Sequence, residues 1–191
     1  MKITECLSVF TFSSANKTEE NNELMNLNSD MGWWLQLAKK DLLEMAILLC
    51  KNALPVWKSY PFPPSISQEV KSLPLKALIT IGALDITNKN PEIEEAIKNY
   101  FTSFVTPFIQ IQDGDLDFPY AVKSSFLSVF YILKGLLSKK NSSAVENFST
   151  SISKSLDAIY ISKMMTIHET EALIEKYFLL SLKQKKSRNS N

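Results

Sequence analysis

From residue 33 to about residue 184, apolar side chains return again and again at the spacing of one helix face. That period constrains the fold more than any other feature, because a helix with one apolar stripe must bury it against another element. The only stretch left for a strand lies within residues 3–12. We therefore expect an all-α chain, a compact bundle of five or six helices, with at most one short N-terminal strand.

The individual segments differ in character. Residues 33–53 place Trp33, Trp34, Leu37, Ala38, Leu42, Met45, Ala46 and Leu49 inward, with Gln36, Lys40 and Glu44 on an opposed stripe. Pro55 is expected to end this helix, since it lacks a donor and pushes Leu54 out of the α region. Residues 55–64 then read as an extended aromatic and proline loop. Residues 73–87 are apolar on most sides, with Pro74 in the first turn, and are expected at the centre of the bundle.

Asn90 reads as a helix cap, followed by Pro91 at the first helical position and by Glu92, Glu94 and Glu95 near the positive end of the dipole. The stripe behind it is Ile93, Ala96/Ile97, Tyr100/Phe101, Phe104/Val105 and Phe108/Ile109, with a kink or break expected at Pro107. A further helix is expected from about Asp117 or Phe118 to Leu137, with Val122, Phe126, Val129, Phe130, Leu133 and Leu137 inward. Capping-box patterns at Ser143–Glu146 and Thr166–Glu169 predict two more, over about 143–161 and 167–184.

Three sections follow from this pattern: an N-terminal element and polar linker at 1–30, a helical domain at 31–184, and a disordered basic tail at 185–191. From Lys183 to the end the chain carries +4, whereas the whole carries +1, so the rest carries −3. Such a balance excludes a polyelectrolyte partner for the whole chain, and direct nucleic-acid binding is not expected. The start, through Leu7, Val9, Phe10 and Phe12, imitates a signal peptide, but Glu5 interrupts it and no small-x-small cleavage site follows. No apolar stretch reads as the 18 or so residues of a membrane span. A cytoplasmic protein is expected.

Scarce residues limit the chemistry. One His (His168), one Arg (Arg188) and two Cys (Cys6, Cys50) are scattered along the chain. A closed zinc site needs about four such ligands. His168 has Ala172 where a zincin would have its second His, and Met165 where a di-iron motif would have Glu. Four glycines leave almost no means of cradling a phosphate. Cys50, in the run Ile47-Leu48-Leu49-Cys50, reads as a buried free thiol. We expect no catalytic group, no metal and no cofactor.

Two clusters remain. Asp113, Asp115 and Asp117 alternate in one turn, as calcium ligands do. The EF-hand loop, however, wants Gly sixth and Glu twelfth, and this chain has Phe118 and Ser124 there. A turn whose last Asp caps a helix is one reading, and an acidic edge that recognises a cationic partner is the other. Trp33, Trp34 and Trp57 fall close together with Tyr60 and Phe62. Core packing accounts for such rings, and so does a partner surface, where Trp and Tyr serve as anchors.

The run Leu49-Cys50-Lys51-Asn52-Ala53-Leu54-Pro55-Val56-Trp57, a helix ending in Cys and then Leu-Pro-x-aromatic, resembles a family of all-helical immunity proteins from bacterial polymorphic toxin systems. The resemblance covers roughly residues 35–85. It implies a non-enzymatic protein that neutralises a cognate toxin domain by stoichiometric contact. Asp113, Asp115 and Asp117 would then suit a basic toxin such as a nuclease, while the motif itself supplies no site residue. The other reading is a helical regulatory or adaptor module, including a homodimer built on an aromatic face.

Overall fold

A computed structural model describes residues 37–83, 91–166, 169, 172 and 173 of the chain. These residues form five helices and no strand: α1 (Lys39–Lys58), α2 (Gln68–Gly82), α3 (Pro91–Asp113), α4 (Tyr120–Leu137) and α5 (Asn141–Ile161). The all-α expectation therefore holds for them. The candidate strand at 3–12, the Asn90 cap, most of the helix at 167–184 and the basic tail lie outside the described residues.

The centre belongs to α4, which packs against all four other helices and most extensively against α5. Val122, Phe126, Val129, Phe130 and Leu133 are buried, as the stripe predicts, but so are Ser124, Ser125, Ser128 and Gly135 on the other side. The expectation that no segment reaches the length of a membrane span is corrected here. Residues 120–137 pass by length and composition, and two thirds of that stretch is buried among the other helices.

The expected central helix is instead marginal. Ser67 accepts a hydrogen bond from the Val70 N–H (3.2 Å), so α2 begins five residues earlier than its apolar run, and Pro74 falls inside the helix. Ile79 on its outer face is 64% exposed.

Two prolines fail to break their helices. α1 continues through Pro55 to Lys58, so residues 55–58 are helix rather than extended loop. An interior proline costs about 3 kcal/mol. Continuation carries Val56 and Trp57 into the core, and each large apolar side chain fully buried stabilises by about 1.5–3 kcal/mol. Lys51, whose carbonyl loses its donor, is exposed and can turn to water. Likewise α3 runs through Pro107 to Asp113: the proline ring is buried, while Ser103, whose carbonyl is released, is exposed.

The starts of α4 and α5 differ from expectation too. Pro119 occupies the cap position of α4, and Asp117 makes no cap bond. α5 opens at Asn141 with Lys140 at its cap, which places Ser143 inside the first turn, where the carbonyl accepts from the Asn147 amide (2.6 Å). The Thr166–Glu169 capping box does form. The Glu169 carboxylate accepts from the Thr166 N–H (2.7 Å) and hydroxyl (2.8 Å), and the Glu169 N–H donates back to Thr166 Oγ1 (3.2 Å).

α4 and α5 run antiparallel, with Tyr120 beside Asp157 and Ser128 beside Ser151. Near the far end a Cβ on Gly135 would fall 2.6 Å from Phe148 Cδ1, so only glycine allows this approach. Cys50 of α1 is a buried free thiol, within 3.4 Å of both Ser151 and Ser155 hydroxyls. Burial pushes its pKa up, and hydrogen bonds with Ser128, Ser151 and Ser155 only partly oppose this.

Candidate interaction surface

The turn between α3 and α4 carries three exposed carboxylates, on Asp113, Asp115 and Asp117. Its shape follows from local chemistry. Gly114 takes φ 85°, which L side chains disfavour, and reverses the chain after α3. The Leu116 N–H then donates to the Gln110 carbonyl (3.0 Å) and the Phe118 N–H to the Leu116 carbonyl (3.1 Å).

Phe118 fixes this turn to the body. It is buried, with ring centroids 5.6 Å from Trp57, 5.7 Å from Tyr60 and 5.6 Å from Phe62, all near edge-on. Such geometry is favoured by ring quadrupoles. Trp57 is thus part of the floor beneath the acidic turn. It has no exposed surface, and its Nε1–H donates to the Lys71 carbonyl (2.9 Å). The reading of Trp57 as an exposed partner anchor is corrected: a ring this large, once its one donor is satisfied, gains most by full burial. Trp33 and Trp34 lie outside the described residues.

Asp117 accepts from Lys123 Nζ at 3.2 Å, and its side chain remains 89% exposed. No ion pair joins Asp113 or Asp115 to a described residue. Among the described residues, no group of three His, Cys, Asp or Glu side chains is arranged to hold a metal ion. Cys6, His168 and Arg188 lie outside them.

Beside the turn sits an arrangement that has no local sequence signature. The Tyr120 hydroxyl donates to Asp157 Oδ2 (2.9 Å) and accepts from Lys154 Nζ (2.9 Å), while Lys154 also donates to Asp157 Oδ2 (3.0 Å). The same ammonium lies 5.1 Å from the Tyr120 ring centroid. Burial works against the charge on Lys154, yet the Tyr120 hydroxyl and the Asp157 carboxylate hold its pKa above the ordinary lysine value.

No family model, curated protein or solved structure matches this chain.

The surface therefore rests on its own geometry. Asp113, Asp115 and Asp117 are brought together as expected, with Tyr120, Lys154 and Asp157 added. The spacing of Lys154 and Asp157 on one helix face was readable in the sequence. Their pairing with a tyrosine more than 30 residues away was not.

Proposed function

We propose that this chain is a non-enzymatic immunity protein, a cytoplasmic inhibitor that binds a cognate bacterial toxin domain one to one and blocks it. One observation carries the reading: three exposed carboxylates sit on a turn pinned to the core by Phe118. A pinned acidic edge presents a fixed field to a basic domain such as a nuclease, and this speeds association and discriminates among partners. The resemblance in Leu49–Trp57 agrees with it, although those residues build core: Leu49, Cys50, Ala53, Leu54, Val56 and Trp57 are all buried. In this reading the helices form one compact bundle that acts as a rigid body.

The test is co-expression with the protein encoded by the neighbouring gene, where this reading expects a toxin domain. Restored growth and a 1:1 complex are expected, with an association rate that falls as salt rises and falls again when Asp113, Asp115 and Asp117 are all changed to Asn. Absence of both protection and complex would sink the proposal. Association kinetics indifferent to salt would remove the acidic edge from it. A self-associating adaptor is the second reading, for which Ile79 on α2 offers an exposed apolar side chain; sedimentation of the isolated chain as a dimer would favour it.

A further inference from the structure

We infer that Tyr120 is the aromatic anchor of this surface, entering an apolar recess on a basic protein partner with Ile161 and Met164 packing beside it. The inference rests on the reading of the chain as a protein-binding inhibitor and names the side chain that would hold the complex together.

Three observations support it. The first is restraint. Tyr120 is 52% exposed, and a tyrosine so exposed ordinarily samples several rotamers. Here two hydrogen bonds hold its hydroxyl, and the Lys154 ammonium lies over its ring. Ordering of the side chain is complete before a partner arrives, which removes a principal cost of using it in an interface.

The second is the surrounding surface. Ile161 follows Asp157 by one turn on the same face of α5, and Met164 lies in the turn just beyond, where Lys163 at φ 55° ends the helix. Both side chains are exposed. A tie between α4 and α5 would explain the hydroxyl bonds alone. It would not explain two apolar side chains left exposed at and just beyond the end of α5 that carries Asp157.

The third is charge, which selects the partner. Lys123 and Lys154 are each paired with a carboxylate, whereas Asp113 and Asp115 make no ion pair with a described residue. Lys163, between Ile161 and Met164, is exposed and makes no ion pair with a described residue, so the two free carboxylates against this one ammonium leave the unpaired charge of the whole surface at −1. A second copy of the chain is a poor occupant, since a two-fold contact centred here would bring two acidic turns together. A basic domain with an apolar recess is the complementary one.

The experiment uses the full chain and, as probe, the protein encoded by the neighbouring gene, where the proposed function expects the toxin domain, in a catalytically inactivated form. Association and dissociation rates are measured for the unaltered chain, Tyr120→Ala, Tyr120→Phe and Met164→Ser. Tyr120→Ala should raise the dissociation rate about tenfold or more, with association and its salt dependence within about twofold of the unaltered chain. Tyr120→Phe keeps the ring and the Lys154 ammonium over it but removes both hydroxyl hydrogen bonds, so an intermediate rise is expected. If Tyr120→Ala proves unstable, Met164→Ser still tests the patch, with a rise of several-fold expected.

Dissociation of Tyr120→Ala within about twofold of the unaltered chain would overturn the inference. So would a lowered melting temperature with unchanged dissociation, which marks a purely structural tie. If the Asp113, Asp115 and Asp117 variant still slows association, the proposed function survives that failure. If the unaltered chain forms no complex, both fall.

Discussion

The two sides of α4 are held by opposite means. Toward α3 the contact is made of rings: Phe101 and Phe108 stack on Phe130 at 5.4 and 4.2 Å, and Phe104 meets Phe126 at 4.7 Å. Toward α5 and residues 50–53 of α1 it is made of small residues: Cys50, Ser125, Ser128, Gly135, Ser151 and Ser155, whereas Trp57 at the end of α1 joins the rings. Each serine hydroxyl there donates to a backbone carbonyl, Ser125 to Ala53 (2.9 Å), Ser128 to Ser125 (2.8 Å), Ser151 to Ser128 (2.8 Å) and Ser155 to Ser151 (3.0 Å). Rings stabilise through the area they remove from water. The seam stabilises through closeness, which requires small side chains whose polar atoms are satisfied. Burial alone does not distinguish the two sides, but substitution should.

The largest effect is expected on the ring side. Phe126 is fully buried between Phe104 and Trp57, and Phe126→Ala should cost about 3–5 kcal/mol in a urea titration. Next comes the seam at its tightest point. Alanine usually gains about 0.5–1 kcal/mol over glycine inside a helix. Gly135→Ala should nevertheless destabilise by about 1–3 kcal/mol, because Phe148 is fully buried and cannot swing away from the new methyl. Ser151→Ala should cost about 1–2 kcal/mol, for the buried hydrogen bond to Ser128 and the weaker one with the Cys50 thiol. If Ser151→Ala matched Phe126→Ala, the seam would be carrying far more than closeness, and the contrast would collapse.

That contrast also explains what could be read from the sequence. The ring side was legible, since Val122, Phe126, Val129, Phe130 and Leu133 recur at helical spacing and each ends up buried. The serines were not, because Ser124, Ser125 and Ser128 look like the solvent face of an amphipathic helix until other helices close over them; Ser125 then donates to Ala53 of α1 and Ser128 to its own helix, while Ser124 Oγ is buried without a partner among the described residues. Pro55 misled for a related reason. Its local cost is readable from the sequence, whereas the tertiary burial that outweighs it is not. At the candidate surface, the acidic turn declared itself through three aspartates in five residues. Tyr120 did not, since its partners belong to another helix. Trp57 shows the converse: a residue type enriched at interfaces, which here packs entirely inside.

The smallest expected effect concerns the pH dependence of the seam. Burial raises the Cys50 pKa above its ordinary value of 9.0, so the folded chain keeps the thiol proton at a pH where the unfolded chain loses it. Stability from this group is therefore fully present below the ordinary thiol value and is lost as pH rises through the folded one. Lysines and tyrosines also titrate in this range, so the absolute curve is not diagnostic. The comparison with Cys50→Ala is, because everything else titrates alike in both. Ser151 and Ser155 retain their carbonyl acceptors without the thiol, so the substitution leaves no hydroxyl orphaned. The stability advantage of the unaltered chain over Cys50→Ala should shrink between about pH 8 and pH 10, measured by urea unfolding at each pH under reducing conditions. Parallel curves would mean that water reaches the thiol, and that the seam is looser than the Gly135–Phe148 contact implies.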